Sequence, residues 1–132
     1  MTHRYTVHVH YEDTDMGGIV YHANFLKFIE RARSAWVRDL GIDQNAMRDA
    51  GTVFVVRRVE ADFLAPAQLD NALEIETRTL SATGARLVMA QTVRRGGEDL
   101  FRAVVTVACL GASGRPARLP DAIPRQRHDP AG

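Results

Sequence analysis

Residues 24 to 40, NFLKFIERARSAWVRDL, constrain the fold more than any other stretch. Phe25, Phe28, Ile29, Ala32, Trp36 and Leu40 recur at helical spacing, and Gly41 marks the stop. At 1.5 Å per residue the run predicts a helix about 25 Å long. Leu26, Ala35 and Val37 widen the apolar stripe beyond one face. A helix this apolar needs cover on most sides, as when a sheet wraps round it.

The rest of the chain supplies that sheet. Residues 4 to 11, RYTVHVHY, alternate: Val7, Val9 and Tyr11 share one face, and Thr6, His8 and His10 the other. This predicts a strand with one buried face. Residues 12 to 23 lose the period and form a loop, and 42 to 51 predict a short second helix. Strands are then expected over 53 to 64, 72 to 80, 86 to 95 and 99 to 110, separated by Ala65-Pro66, Gly84 and Gly96-Gly97. The last three are close enough in sequence to form an antiparallel meander. One long helix against one antiparallel sheet of five strands is an α+β architecture. Such a sheet covers the helix on one side only, so pairing of two copies is expected. Residues 111 to 132 hold four of the five prolines and read as an extended C-terminal tail.

Size and charge exclude several functions. With 132 residues the chain is expected to form one domain with a core that needs neither disulfide nor metal. A formal net charge of +1 gives no reason to expect nucleic acid as partner. The single cysteine, Cys109, lies in the apolar run VVTVACL and reads as a buried small hydrophobe. There is no apolar leader and no integral membrane segment, so a cytoplasmic location is the expectation. His8 and His10 form an HxH on one strand face, but no third or fourth ligand stands at metal spacing.

Chemistry concentrates just before the long helix. Residues 11 to 22, YEDTDMGGIVYH, carry Glu12, Asp13 and Asp15, a Gly17-Gly18 pair, and Tyr21-His22. A carboxylate near a helix N-terminus can attack a carbonyl, or direct water onto it, while the carbonyl oxygen rests on helix amides. The glycines let the loop turn tightly and bring backbone close to a ligand.

The full motif YEDTDMGGIVYHANFLKFIERAR resembles the signature of the hotdog-fold acyl-CoA thioesterases. Within them it is most similar to the Tol-Pal-associated subfamily of the 4-hydroxybenzoyl-CoA thioesterase group. The likeness runs from about Tyr5 to Leu110, and includes FVVR, Ala65-Pro66-Ala67, and Leu69-Asp70 followed by LEI. It implies a hotdog fold, hydrolysis of acyl-CoA or acyl carrier protein thioesters, no cofactor and no metal, and a homodimer or tetramer.

The resemblance makes Asp15 the catalytic carboxylate, either nucleophile or general base on water. One acid can suffice, because a thioester carbonyl is electrophilic and a thiolate leaves without much help. His22 matches the position whose backbone N–H polarises the thioester carbonyl, with its imidazole a separate question. Gly17 and Gly18 shape the substrate loop, and Tyr21 lines the site or orients Asp15. Asn24 is a candidate helix cap, and Asp13 a turn-forming residue. Glu30 matches a pocket-side acidic position that could face the acyl end from the partner subunit. A salt bridge from Glu30 to Arg33 or Arg57 is the plainer alternative. Arg57, Arg58 and Arg86 are candidates for the carrier's phosphates. The aromatic-specific members place a basic cluster where this chain reads Thr83, Gly84 and Ala85, leaving only Arg86 nearby. A non-catalytic hotdog module that binds acyl groups or partner proteins, linked to lipid or envelope machinery, is the main rival. A hydratase on the same fold would need a His-centred base that the DxD loop does not provide.

Overall fold

Period-two burial along the last three strands builds one sheet against one helix. The computed structural model describes residues 2–127. The elements are β1 (Thr2–His8), a 3-10 turn (Tyr11–Asp13), α1 (Asn24–Asp39), α2 (Gln44–Asp49), β2 (Val53–Phe63), β3 (Ala72–Thr83), β4 (Arg86–Arg95) and β5 (Glu98–Leu110). The strands form a single antiparallel sheet in the order β1-β3-β4-β5-β2, with β3, β4 and β5 as the expected meander. Leu87, Met89, Gln91 and Val93 of β4, and Phe101, Ala103, Val105, Val107 and Cys109 of β5, alternate into the core. α1 meets them with Phe25, Phe28, Ile29, Ala32, Ala35, Trp36 and Val37. Phe25 stacks on Phe101 at 5.0 Å, which seats the start of the helix on the sheet. Among the described residues no helix is long and apolar enough to cross a membrane.

Three local expectations are corrected. Tyr11 does not join the buried face of the first strand and is 82% exposed. Instead the Asp13 carboxylate accepts from the His10 amide at 2.9 Å, and the Asp13 amide donates to His10 O at 3.0 Å. These bonds draw the chain out of the strand into the 3-10 turn, a usual outcome when a short carboxylate competes for nearby backbone. Asn24 does not cap α1; Ala23 holds that position in helical conformation, and Asn24 Nδ2 donates to Asp13 Oδ1 at 3.2 Å. β3 continues to Thr83 because a bulge between Thr79 and Ser81 re-phases it, leaving both Leu80 and Ala82 buried.

The proline-rich segment after β5 packs on the core as far as it is described. Leu119 and Ile123 are each 1% exposed. Leu119 N donates to Gly84 O at 2.9 Å, and Gln126 exchanges backbone bonds with Ala82 at 2.7 and 3.0 Å. Gln126 Nε2 also donates to Thr79 O at the bulge, at 3.0 Å. Residues 128–132 of the expected tail lie outside the described residues.

Candidate active site

The segment between the 3-10 turn and α1 is a small hairpin-like loop. Thr14 bridges Val20, and Ile19 bridges Gln68. Asp15 N donates to Ile19 O at 2.8 Å and Gly18 N to Asp15 O at 3.1 Å, closing a tight turn over residues 15 to 18. Gly18 takes φ +79°, a conformation a side chain would strain. The Asp15 side chain lies exposed at the mouth of this turn. Its Oδ1 accepts from Gly17 N at 2.8 Å, while Oδ2 has no partner among the described residues. One oxygen therefore orients the carboxylate and the other is open for chemistry.

The loop leads directly into the start of α1. The amides of Asn24, Phe25 and Leu26 donate to the carbonyls of Tyr21, His22 and Ala23. The His22 amide makes no hydrogen bond among the described residues, so it is free to meet an acceptor. The His22 ring packs on Tyr21 at 4.6 Å and edge-on to Phe63 at 6.0 Å. It makes no hydrogen bond to Asp15, nor does Tyr21, whose own amide donates to Asp13 O at 3.0 Å. Asp13 is buried and fully engaged with His10 and Asn24, as expected of a turn-forming acid.

A cavity of about 220 Å³ opens elsewhere along the helix, between α1, α2 and the β2–β5 side of the sheet. Glu30, Arg33 and Ser34 line one wall, and Phe54, Val56, Leu87, Met89 and Val107 lie opposite. Glu30 forms no ion pair with Arg33 or Arg57 among the described residues; Arg33 Nη1 donates instead to Gln91 Oε1 at 3.0 Å. Burial lowers the Arg33 pKa from its ordinary value, and the charge of Glu30 opposes that shift. Sequence reading missed Gln91. Its signal was a polar residue in buried phase on β4, between Met89 and Val93.

The three arginines expected at the phosphates are not gathered at this cavity. Arg57 is exposed at a bulge in β2. Arg58 stands opposite Thr106 with its Nε 3.1 Å from Glu60, and Arg86 stands opposite Ala108. Thr106 and Ala108 alternate with the buried Val105, Val107 and Cys109, so Arg58 and Arg86 belong to the sheet face turned away from α1. Among the described residues no three His, Cys, Asp or Glu side chains group to hold a metal. His8 instead approaches Asp70 at 3.3 Å.

Comparison with known proteins matches residues 9–126 to a family described as the thioesterase-like superfamily. The chain belongs to that superfamily. The acyl-CoA thioester hydrolase YbgC of Escherichia coli O6:H1 is 40% identical over 122 residues, 91% of each chain. A probable thioesterase from Bartonella henselae, solved by crystallography, superposes with TM-score 0.87 at 40% identity, covering 91% of this chain and 100% of that one. The 1,4-dihydroxy-2-naphthoyl-CoA thioesterase of Synechocystis gives TM-score 0.86 over 92% of both chains. At 22% identity, that likeness speaks for the hotdog fold alone. The five-stranded antiparallel sheet with its packed helix is thus the expected hotdog architecture.

Proposed function

We propose that this protein hydrolyses acyl-CoA thioesters to the free acid and coenzyme A, with Asp15 as the reacting carboxylate. The observation that carries the reading is the pairing, within one loop, of an open Asp15 Oδ2 with an unpartnered His22 amide at the start of α1. A thioester carbonyl laid between them would meet an attacking oxygen on one side and a polarised N–H on the other. As nucleophile, Asp15 would form an acyl anhydride and expel the thiolate, and water would then release the acid. As general base, it would take a proton from the attacking water. Either way the oxyanion gains from the His22 amide. Tyr21, Gly17 and Gly18 would shape the mouth, and Glu30 would face the acyl group.

A two-fold dimer is part of this proposal. β2 is an edge strand, with Val53, Val56, Val59 and Phe63 exposed on it. The Asp15 loop lies beside the Phe63 end of β2, through His22–Phe63 and Val20–Ala67, whereas the cavity lies at the Phe54 end. The strand from Phe54 to Phe63 covers about 30 Å. Antiparallel pairing of two β2 edges would carry the partner's Phe63 end to this cavity, so each site would join one copy's loop to the other's pocket. Arg58 and Arg86 would stay on the sheet face turned away from α1 in such a dimer, so of the three arginines Arg57, at the β2 bulge, is left as the candidate for the carrier's phosphates. A cytoplasmic site of action follows from an acyl-CoA substrate, and the association with the Tol-Pal system rests on the motif resemblance alone.

The test is thiol release over a panel of acyl-CoA and acyl carrier protein thioesters, for the native chain and Asp15→Asn. Loss of the carboxylate is expected to cost roughly 10²–10⁴-fold in turnover. A folded Asn variant with native kcat would remove Asp15 from the mechanism.

A further inference from the structure

The cavity wall holds a cation whose support is built into the sheet. Arg33 is half buried, and one of its five N–H donors is used, by Gln91 Oε1. Gln91 is fully buried, and its Nε2 donates to Ile29 O and to Thr77 Oγ1, each at 2.9 Å. Thr77 is 1% exposed. Two buried polar side chains thus stand in an otherwise apolar sheet face, and together they fix one carbonyl oxygen behind the guanidinium. No carboxylate pairs with Arg33 among the described residues. A neutral amide partner locates the cation without neutralising it, and a desolvated guanidinium with open donors attracts an oxygen acceptor.

We infer that Arg33 is a specificity-determining residue that donates to an oxygen at the distal end of the acyl group, so that thioesters with a hydroxyl or carbonyl there are preferred over plain alkyl ones. This rests on the thioesterase reading and deepens it. The preferred oxygen is neutral. Glu30 lines the same cavity, and its carboxylate would repel a second one. A hydroxyl satisfies both groups on this wall, accepting from Arg33 and donating to Glu30. A plain methyl end would leave the guanidinium facing hydrocarbon, a charged donor without an acceptor. The size agrees with a compact acyl group, since a cavity of about 150 Å³ holds a benzene and this one is about 220 Å³.

The experiment uses ketone analogues in which a methylene replaces the thioester sulfur, carried on coenzyme A and on pantetheine. Hexanoyl, ω-hydroxyhexanoyl and adipoyl forms are titrated by calorimetry into the native chain, Arg33→Met and Arg33→Lys. The native chain is expected to bind the hydroxy form at least about tenfold tighter than the alkyl form. That ratio is expected to fall to about one in Arg33→Met and to an intermediate value in Arg33→Lys. A native ratio of one, no binding of any analogue, or an unchanged ratio in a folded Arg33→Met overturns the inference. Tighter binding of the adipoyl form overturns the neutral-oxygen assignment. If Arg33→Met does not fold, the native and Arg33→Lys ratios decide. The analogues cannot turn over, so discrimination without hydrolysis of the parent thioesters would sink the catalytic reading and leave Arg33 standing.

Discussion

Gly17 donates its amide hydrogen to Asp15 Oδ1 at 2.8 Å, and a Cβ built at position 17 would stand 3.2 Å from the same oxygen. The glycine thus allows the close approach that sets the carboxylate's direction. Gly17→Ala would push the carboxylate aside by a few tenths of an ångström. Misplacement by 1 Å can cost about 10²-fold in rate, so a loss of roughly 3–10-fold in kcat is expected, with little change in melting temperature. Native kcat in this variant would mean that the Gly17 contact does not aim Asp15.

The segment after β5 contributes to stability through Leu119. This side chain is 1% exposed and belongs to the same apolar cluster as Trp36, Ala82 and Ile123. Leu119→Ala is expected to destabilise by about 2–5 kcal/mol, by lost burial plus an unfilled cavity. Urea denaturation reads this directly; a change below about 0.5 kcal/mol would place Leu119 outside the core.

That segment also shows what was legible before the structure. Local signals located α1 and all five strands, because helical spacing, alternation, β-rich composition and turn residues are written in adjacent positions. The packing of Leu119 and Ile123 depends on Gly84 and Ala82, far back in the chain, and composition alone suggested an extended tail. The DxD loop was legible because its acids and glycines lie within a few residues of each other. The support of Arg33 was not, since Gln91 lies 58 residues away on another element. Tyr11 was misread for a different, local reason: alternation continued in sequence while the Asp13 carboxylate, three residues past His10, ended the strand.

Acid will weaken the β4–β5 hairpin through Asp99. Arg102 and Arg94 donate to its carboxylate at 2.7–3.0 Å and hold it below the usual carboxylate range. A folded pKa below the unfolded value means that the stabilisation is fully present above the unfolded value, about 3.9. It is lost as pH falls through the folded value. Thermal melts of the native chain and Asp99→Asn should differ at neutral pH and converge as acid protonates the folded carboxylate, below the unfolded value. A constant gap across that fall in pH would show that the ionised carboxylate contributes nothing.

Oligomeric state tests the β2 edge. Val53 and Val59 are exposed on it, and lysine at both positions would place like charges along any two-fold seam. Light scattering is expected to find a dimer or larger assembly for the native chain and a monomer for Val53→Lys/Val59→Lys, with thioesterase activity lost alongside. An active native monomer at assay concentration would exclude a site shared between copies.

His22 separates main chain from side chain. Its amide is an unpartnered donor at the start of α1, as is that of Ala23, whereas its ring packs on Tyr21 and Phe63 and makes no bond to Asp15. A tetrahedral oxyanion would gain from the amide, an effect worth about 10²–10³ in rate where one such donor has been removed. His22→Ala keeps that amide and removes only the ring, including its edge contact with Phe63. Activity is therefore expected to fall by less than in Asp15→Asn, with any loss falling more on KM than on kcat. If turnover instead vanishes as completely as in Asp15→Asn, while a crystal structure shows the 15–23 loop undisturbed, the imidazole carries the proton and the amide is secondary.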